Sequence, residues 1–273
     1  MGFVIDIFIA LAVLFIIYIL MIMPALRKKP LSAELMEQRV YAHRGLYDNS
    51  GDAPENSLAA FRKAVEAGYG MEMDVQLTKD RIPVIFHDNT LQRVCGAEGR
   101  ISDYTYEELQ QFHLCNSEER IPTLAQVLEV VGGRTPLIVE FKTETHDVSV
   151  CKVGDELLRR YEGKYCVESF NPLAVLWYRR KRPEVVRGQL SDCFLKGDAY
   201  KSVLHWMLQN LLFDFIGKPD FVAYNCLYPK VLSRRICHRV FRNMAFAWTV
   251  KSPEQMENLK DEFDVFIFEG FRP

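Results

Sequence analysis

The sequence predicts a (β/α)8 barrel with a small hairpin excursion after its second strand, preceded by one N-terminal transmembrane helix. Three observations predict the barrel. Eight short apolar, β-rich runs alternate with stretches of helical period over about 230 residues. The turn after the first run reads His43-Arg44-Gly45, with one glycine. An open doubly wound sheet would carry a glycine-rich phosphate turn there. Titratable side chains also collect at the C-terminal ends of several runs, where a barrel places its site.

Strands are expected at 40–43, 71–75, 137–141, 165–169, 185–190, 221–224, 245–250 and 265–269. Helices are expected between them at 57–67, 123–131, 148–161, 172–181, 200–213, 229–241 and 253–262. Ser57 suits an N-cap, and Ser252 followed by Pro253 suits a cap and first turn. One further apolar run, 82–86, breaks the alternation. Only Thr78-Lys79-Asp80-Arg81 separates it from the second strand, and a parallel crossover needs about a dozen residues. The segment from Gln76 to His87 therefore reads as an antiparallel hairpin. Folding it about Asp80 and Arg81 brings His87 roughly opposite Asp74.

Before the barrel, residues 7–26 read IFIALAVLFIIYILMIMPAL, 20 residues without a charge. A helix of that length spans roughly 30 Å, the thickness of the hydrocarbon core. Asp6 precedes the run, and Arg27, Lys28 and Lys29 follow it. A cleaved signal peptide carries its positive charge ahead of the apolar run and a small-residue site behind it. This segment has neither, and it reads as a permanent single-pass anchor in the cell membrane. The basic flank places everything after it on the cytoplasmic side. The domain plan is an anchor at 1–29, a linker at 30–38 and the barrel at 39–273.

The chain has 273 residues, 49% of them hydrophobic, which excludes a disordered protein. Lys and Arg total 34 against 36 Asp and Glu, so no nucleic-acid partner is expected. Seven scattered cysteines without a C-x-x-C pair argue against a disulfide framework or a zinc ribbon. They fit a reducing compartment.

The chemistry lies at the strand ends. The first strand ends in His43-Arg44, the second carries Glu72 and Asp74, the hairpin ends in His87-Asp88, and the third ends in Glu140-Phe141-Lys142. Strand side chains alternate, so Glu72 shares a face with Asp74, and Glu140 with Lys142. Three inward carboxylates repel one another unless a cation joins them. Oxygen ligands alone suit Mg2+, Ca2+ or Mn2+. Arg44 and Lys142 beside that cation suggest an anionic substrate, most simply a phosphate. His43 and His87 supply a proton donor and acceptor. A solvent-facing stripe or an ordinary ion pair accounts for any one of these features. It does not account for four of them, each at a predicted strand end.

These stretches together resemble the glycerophosphodiester phosphodiesterase family. The matching segments are AHRG (42–45), PENS (54–57), MEMDVQLTKD, PVIFHD, IPTL, VEFK, ESFNP and AWTV, spread over about residues 40–270. The resemblance implies a barrel and one divalent cation held by Glu72, Asp74 and Glu140. It implies His43 and His87 as the acid–base pair, Arg44 and Lys142 as phosphate contacts, and Trp248 at the pocket mouth. Asn56 is expected to support the site. The sequence departs from the family near its last strand, where Phe268-Glu269-Gly270 replaces a Thr-Asp signature. It departs again at Arg81, where the hairpin turn usually has glycine.

The implied reaction is metal-dependent hydrolysis of a glycerophosphodiester to an alcohol and glycerol 3-phosphate. The nucleophile is water, directly or after attack by a substrate hydroxyl that gives a cyclic phosphate. A lysophospholipase D or a cyclic-phosphate-forming phosphotransferase acting on membrane lysolipids is the nearer alternative. A non-catalytic, membrane-tethered phospholipid-binding module is the more distant one. The apolar stretch YKSVLHWMLQNLLFDFIG at 200–217 reads either as a core-packed barrel helix or as a lip at the membrane interface.

Overall fold

The computed structural model describes residues 2–26, 29, 34–35, 37–143, 145–196 and 202–273. In chain order its strands are β1 (Val40–Ala42), β2 (Gly70–Leu77), β3 (Pro83–Ile85), β4 (Leu137–Phe141), β5 (Tyr165–Ser169), β6 (Arg187–Ser191), β7 (Phe221–Asn225), β8 (Met244–Val250) and β9 (Val265–Phe268). All but β3 are parallel neighbours, and β1 pairs with both β9 and β2, which closes an eight-stranded barrel. The helices are α1 (Gly2–Met21), α2 (Leu58–Glu66), α3 (Gln92–Cys95), α4 (Tyr106–Leu109), α5 (Leu124–Val131), α6 (Ser149–Leu158), α7 (Pro172–Lys181), α8 (Val203–Gln209), α9 (Asp214–Gly217), α10 (Leu232–Arg239) and α11 (Pro253–Leu259).

Local chemistry explains the helix starts. Ser57 Oγ accepts from Ala60 N, and Ser252 Oγ accepts from Gln255 N, as capping residues do. Thr123 and Gln126 form a reciprocal capping box at α5. The helix expected at 200–213 is shorter and broken. Residues 200 and 201 lie outside the described residues. Leu211, at φ +58°, then turns the chain from α8 into α9. That left-handed residue ends the helical ladder and lets Leu211 and Leu212 bury in the core.

The hairpin forms as the spacing predicts. Val75 pairs with Ile85, Gln76 with Val84 and Leu77 with Pro83. Arg81 takes φ +65°, the left-handed geometry in which glycine costs least. The turn is thus preserved without the glycine. Beyond β3 the chain continues into a lobe with its own buried cluster, in which Phe86, Leu91, Ile101 and Leu109 pack together around α3 and α4. The sequence reading placed no elements there, because both helices have only 4 residues and carry no periodicity to read.

Strand alternation sorts the barrel into layers. Met71, Met73, Val139 and Val167 point outward into the core beneath the helices. The inward positions at the N-terminal end are apolar, with Tyr41, Ile138, Cys166, Phe246 and Ile267 in one buried cluster. Two residues further along the same strands, the inward positions become His43, Glu140, Glu168, Trp248 and Glu269. An apolar plug therefore underlies a polar mouth.

The apolar span from Phe3 to Met21 has mean hydropathy 3.0, is not buried, and is long and apolar enough to cross a membrane. Helix α1 ends at Met21, sooner than the expected span, because Pro24 disfavours further helix. The chain then docks on the barrel. Ile22 is fully buried, and Ala25 N donates to Pro219 O at 2.9 Å. Lys29 pairs with Asp220 at 2.5 Å. Arg27 and Lys28 of the basic flank lie outside the described residues, as does much of the expected linker. Its described part is fastened: Leu35 is buried and its carbonyl accepts from Tyr41 Oη at 3.0 Å.

One position tests the plug. A Cβ on Gly188 would lie 2.1 Å from the Phe221 ring, which stacks on Phe246 with centroids 4.1 Å apart. Gly188→Ala should destabilise the fold by about 1–3 kcal/mol through overpacking. Thermal unfolding of the detergent-solubilised full chain checks this, and an unchanged midpoint contradicts the plug geometry.

Candidate active site

The His43-Arg44-Gly45 turn is the first part of the site. Arg44 sits at φ +56° and Gly45 at φ +82°. A Cβ on Gly45 would fall 2.9 Å from the Ala60 carbonyl carbon, so the turn needs glycine there. This geometry aims the Arg44 amide inward, where it donates to Glu72 Oε2 at 3.0 Å. The Arg44 guanidinium donates to Glu55 Oε1 at 2.7 Å, and its Nε lies 3.5 Å from Asp74 Oδ2.

β2 and β4 bring the carboxylates together. Their register sets Asp74 beside Glu140, and the β4–β5 register sets Glu140 beside Glu168. Glu72, Asp74 and Glu140 each offer an oxygen within 4.8 Å of the others, and all three are buried. Lys142 Nζ lies 3.1 Å from Glu140 Oε1 and 3.4 Å from Asp74 Oδ1. Asn56, expected as a support, donates to Asp74 Oδ2 at 2.9 Å.

Burial and mutual repulsion govern this cluster. Burial, then the neighbouring charges of Asp74 and Glu140, push the Glu72 carboxyl well above the usual carboxylate range. Burial and Asp74 likewise push Glu140 up to about 7, against the pull of Lys142. Burial acts on Asp74 too, but Lys142, His87, Arg44 and the Asn56 bond outweigh it and hold that carboxyl low. Glu168 adds a fourth buried carboxyl, raised by burial and by Glu140, and its Oε2 has no hydrogen-bond partner. Asp74 Oδ1 also lacks a hydrogen-bond donor. A convergent oxygen set with excess negative charge and an unpartnered carboxylate oxygen fits a hard divalent cation.

Each histidine is held by a carboxylate. His43 Nδ1 lies 2.6 Å from Glu269 Oε2, which turns Nε2 toward Glu72, 3.9 Å away. Tyr47 Oη donates to the same Glu269 oxygen at 3.1 Å, and Lys251 Nζ is 3.0 Å from the other. Burial raises the Glu269 carboxyl, but the bonds from His43 and Lys251 outweigh it and keep it ionised. His87 is delivered by the hairpin. Phe86 N donates to Asp74 O at 2.9 Å, and Gln76 Nε2 donates to the carbonyls of Phe86 and Asp88 at 2.7 and 2.9 Å. His87 Nδ1 then meets Asp88 Oδ1 at 2.7 Å. Burial lowers both imidazoles, and their carboxylate partners offset part of that.

Arg93 joins the two halves. Arg93 donates to both Glu55 oxygens, at 2.8 and 2.6 Å, and to Asp88. Burial acts against the Glu55 charge, but Arg93, Arg44 and Asn49 hold its carboxyl at about 2. Trp248 stands at the mouth, edge-on to Phe170 with ring centroids 5.6 Å apart.

The structure thus brings His43, Arg44, Glu72, Asp74, His87, Glu140 and Lys142 to one end of the barrel, with Trp248 on its rim. Sequence reasoning left the role of Glu269 open, gave no role to Glu55, Asp88 and Glu168, though it quoted the segments that hold them, and missed Arg93. Alternation on β5 carried the signal for Glu168, and adjacency to His87 carried the signal for Asp88. Arg93 had none, since a short helix in the lobe presents it.

Known proteins resemble this chain in sequence and fold. The glycerophosphoryl diester phosphodiesterase family profile matches residues 43–262. A glycerophosphodiester phosphodiesterase of Caldanaerobacter subterraneus is 34% identical over 172 residues, 59% of this chain and 69% of the relative. One of Bacillus altitudinis is 40% identical over 175 residues, 59% of this chain and 70% of its own. Among solved structures, an Oleispira antarctica phosphodiesterase in complex with the product sn-glycerol-3-phosphate superposes with TM-score 0.67 at 26% identity, covering 84% of this chain and 92% of that one. The Thermotoga maritima glycerophosphodiester phosphodiesterase superposes with TM-score 0.62 at 26% identity, covering 84% of this chain and 93% of that one. By this match, over most of its length, the chain belongs to the glycerophosphoryl diester phosphodiesterase family.

Proposed function

We infer that the chain hydrolyses glycerophosphodiesters to an alcohol and glycerol 3-phosphate. The convergence of Glu72, Asp74 and Glu140 beside two carboxylate-held histidines carries this reading. Glu72, Asp74 and Glu140 would hold one divalent cation, for which Mg2+, Ca2+ and Mn2+ are suited by the all-oxygen donors. When bound, that ion supplies Lewis-acid polarisation of the phosphoryl group.

The chain's own residues do the rest. Arg44 and Lys142 bind the phosphoryl oxygens and offset the charge that develops on them. Of His43 and His87, one takes the proton of the attacking hydroxyl and the other gives one to the leaving alkoxide. Glu269 and Asp88 fix the ring orientation and tautomer of each histidine. The attacking hydroxyl belongs to water or to the substrate's own glycerol. Helix α1 anchors the barrel to the cell membrane, with the basic flank at 27–29 and the barrel on the cytoplasmic side.

Two measurements test this reading. The detergent-solubilised full chain, incubated with glycerophosphocholine, should release choline and glycerol 3-phosphate by mass. Chelator should abolish turnover, and Mg2+, Ca2+ or Mn2+ should restore it. Turnover that survives thorough chelation overturns the metal assignment, and no turnover of any glycerophosphodiester overturns the reading. In the second, His43→Ala and His87→Ala should each lose about 10²–10⁴-fold in kcat. Glu269→Gln should lower kcat by a smaller factor with KM little changed. An unaltered kcat in Glu269→Gln would show that this carboxylate does not position His43.

A further inference from the structure

One buried carboxyl at the mouth has no task in the proposed reaction. Glu168 is 3% exposed, and its Oε2 has no hydrogen-bond partner. Such a group is costly to keep in a core. The polar side chains beside it are spent elsewhere. Gln189 Nε2 donates to the carbonyls of Ser169, Phe170 and Leu190 at 3.1, 3.0 and 2.9 Å. Ser169 Oγ donates to Phe141 O at 2.7 Å. On β6 the residue opposite Glu168 is Gly188, which has no side chain to offer. Glu168 also stands outside the three carboxylates whose oxygens converge within 4.8 Å.

The donor within reach is Lys142. Glu168 lies opposite Glu140 in the β4–β5 register, and neighbouring strands are about 4.8 Å apart. Lys142 stands two residues beyond Glu140 on the same inward face. Its side chain reaches back, so that Nζ is 3.1 Å from Glu140 Oε1 and 3.4 Å from Asp74 Oδ1. The ammonium is thus level with Glu140, on the strand beside Glu168. Of the charges that bear on Glu168, those of Glu140 and Asp74 oppose its ionisation and that of Lys142 favours it. A cation on Glu72, Asp74 and Glu140 would draw on the oxygens that Lys142 also uses. An ammonium carries three donors and has to place them all. Glu168 Oε2 is the neighbouring oxygen, outside the ligand set, that no donor engages. Arg44 is not a rival for it, because its guanidinium is committed to Glu55 and Asp74.

We propose that Glu168 is the positioning residue for Lys142. Its carboxyl accepts a hydrogen bond from the ammonium when the three ligand carboxylates hold a cation. Nζ then stays at the edge of the cluster with another N–H free for a phosphoryl oxygen. Glu168 acts through Lys142 and touches neither the cation nor the substrate. The proposal rests on the cation site and on the phosphate contact of Lys142, both part of the function inferred above, and not on turnover itself.

A double-variant cycle tests it. Mn2+ is titrated by calorimetry into the detergent-solubilised full chain, unmodified and as Glu168→Gln, Lys142→Met and both together. Glu168→Gln should weaken Mn2+ binding at least about fivefold where Lys142 is present, and less than about twofold in the Lys142→Met chain, as coupled neighbours do. Equal losses in both backgrounds mean that Glu168 acts on the ion by charge alone, and they overturn the proposal. So does the absence of loss in either. Inorganic phosphate titrated into the Mn2+-saturated chains should follow the same pattern. Unchanged phosphate affinity in Glu168→Gln overturns the proposal. Lys142→Gln closes the cycle instead if thermal unfolding shows that the Lys142→Met chain does not fold. An unmodified chain that binds no Mn2+ strikes the cation site and the proposal with it. Mn2+ binding without turnover of any glycerophosphodiester strikes the phosphodiesterase reading, while the cycle still decides the role of Glu168.

Discussion

Repulsion among buried carboxylates is the constraint on which the mouth of this barrel depends. Glu72, Asp74 and Glu140 lie within 4.8 Å of one another in a site closed below by an apolar plug. Their charges cannot all persist there without compensation. Asp74 has taken the cations Arg44 and Lys142 and the Asn56 amide, and stays ionised. Glu72 and Glu140 are left favouring protons. A divalent cation held there would replace those protons with one compact charge, so metal affinity and proton affinity at this site would oppose each other. The same register that forces the carboxylates together also sets Lys142 and Arg44 where a phosphoryl group would meet them.

The two histidines reach the site from different parts of the chain by a common device. His43 ends β1 and is held by Glu269 from the last strand, so the closure of the barrel is itself what orients that ring. His87 comes from the hairpin and is held by its own neighbour Asp88, which Arg93 in the lobe fixes in turn. Arg93 also fastens Glu55, and Glu55 fastens Arg44. The lobe after β3 is thus mechanically joined to the Arg44 side of the mouth. Its short helix α3 supplies the Arg93 that holds Asp88 and Glu55 in place.

Much of this was legible in the sequence because two periodicities suffice to read it. Alternation on MEMDV and LIVEFK put Glu72, Asp74 and Glu140 on inward faces, and the short Thr78–Arg81 turn required the hairpin that delivers His87. Arg81 shows why a missing glycine was harmless, since an arginine adopts the same left-handed turn at modest cost. What escaped was fixed by tertiary contact. Glu269 and His43 are 226 residues apart and meet only when β9 closes on β1. Arg93 lies on a single helical turn with no periodicity. The break at Leu211 follows from the need to bury two leucines beneath α8, and no glycine or proline announces it. The docking of Ile22 and Leu35 is equally silent in composition, because an apolar run reads the same whether it ends in lipid or against a protein core.

The central claim is that three carboxylates on β2 and β4 form one cation site. Calorimetric titration of the full chain with Mn2+, Mg2+ and Ca2+ tests it most directly. The account predicts one ion per chain, with binding weakening as pH falls through the range where Glu140 takes up its proton, about 7 without metal. It also predicts loss of that binding in Glu72→Gln and Glu140→Gln. Unchanged stoichiometry and affinity in both variants would contradict it.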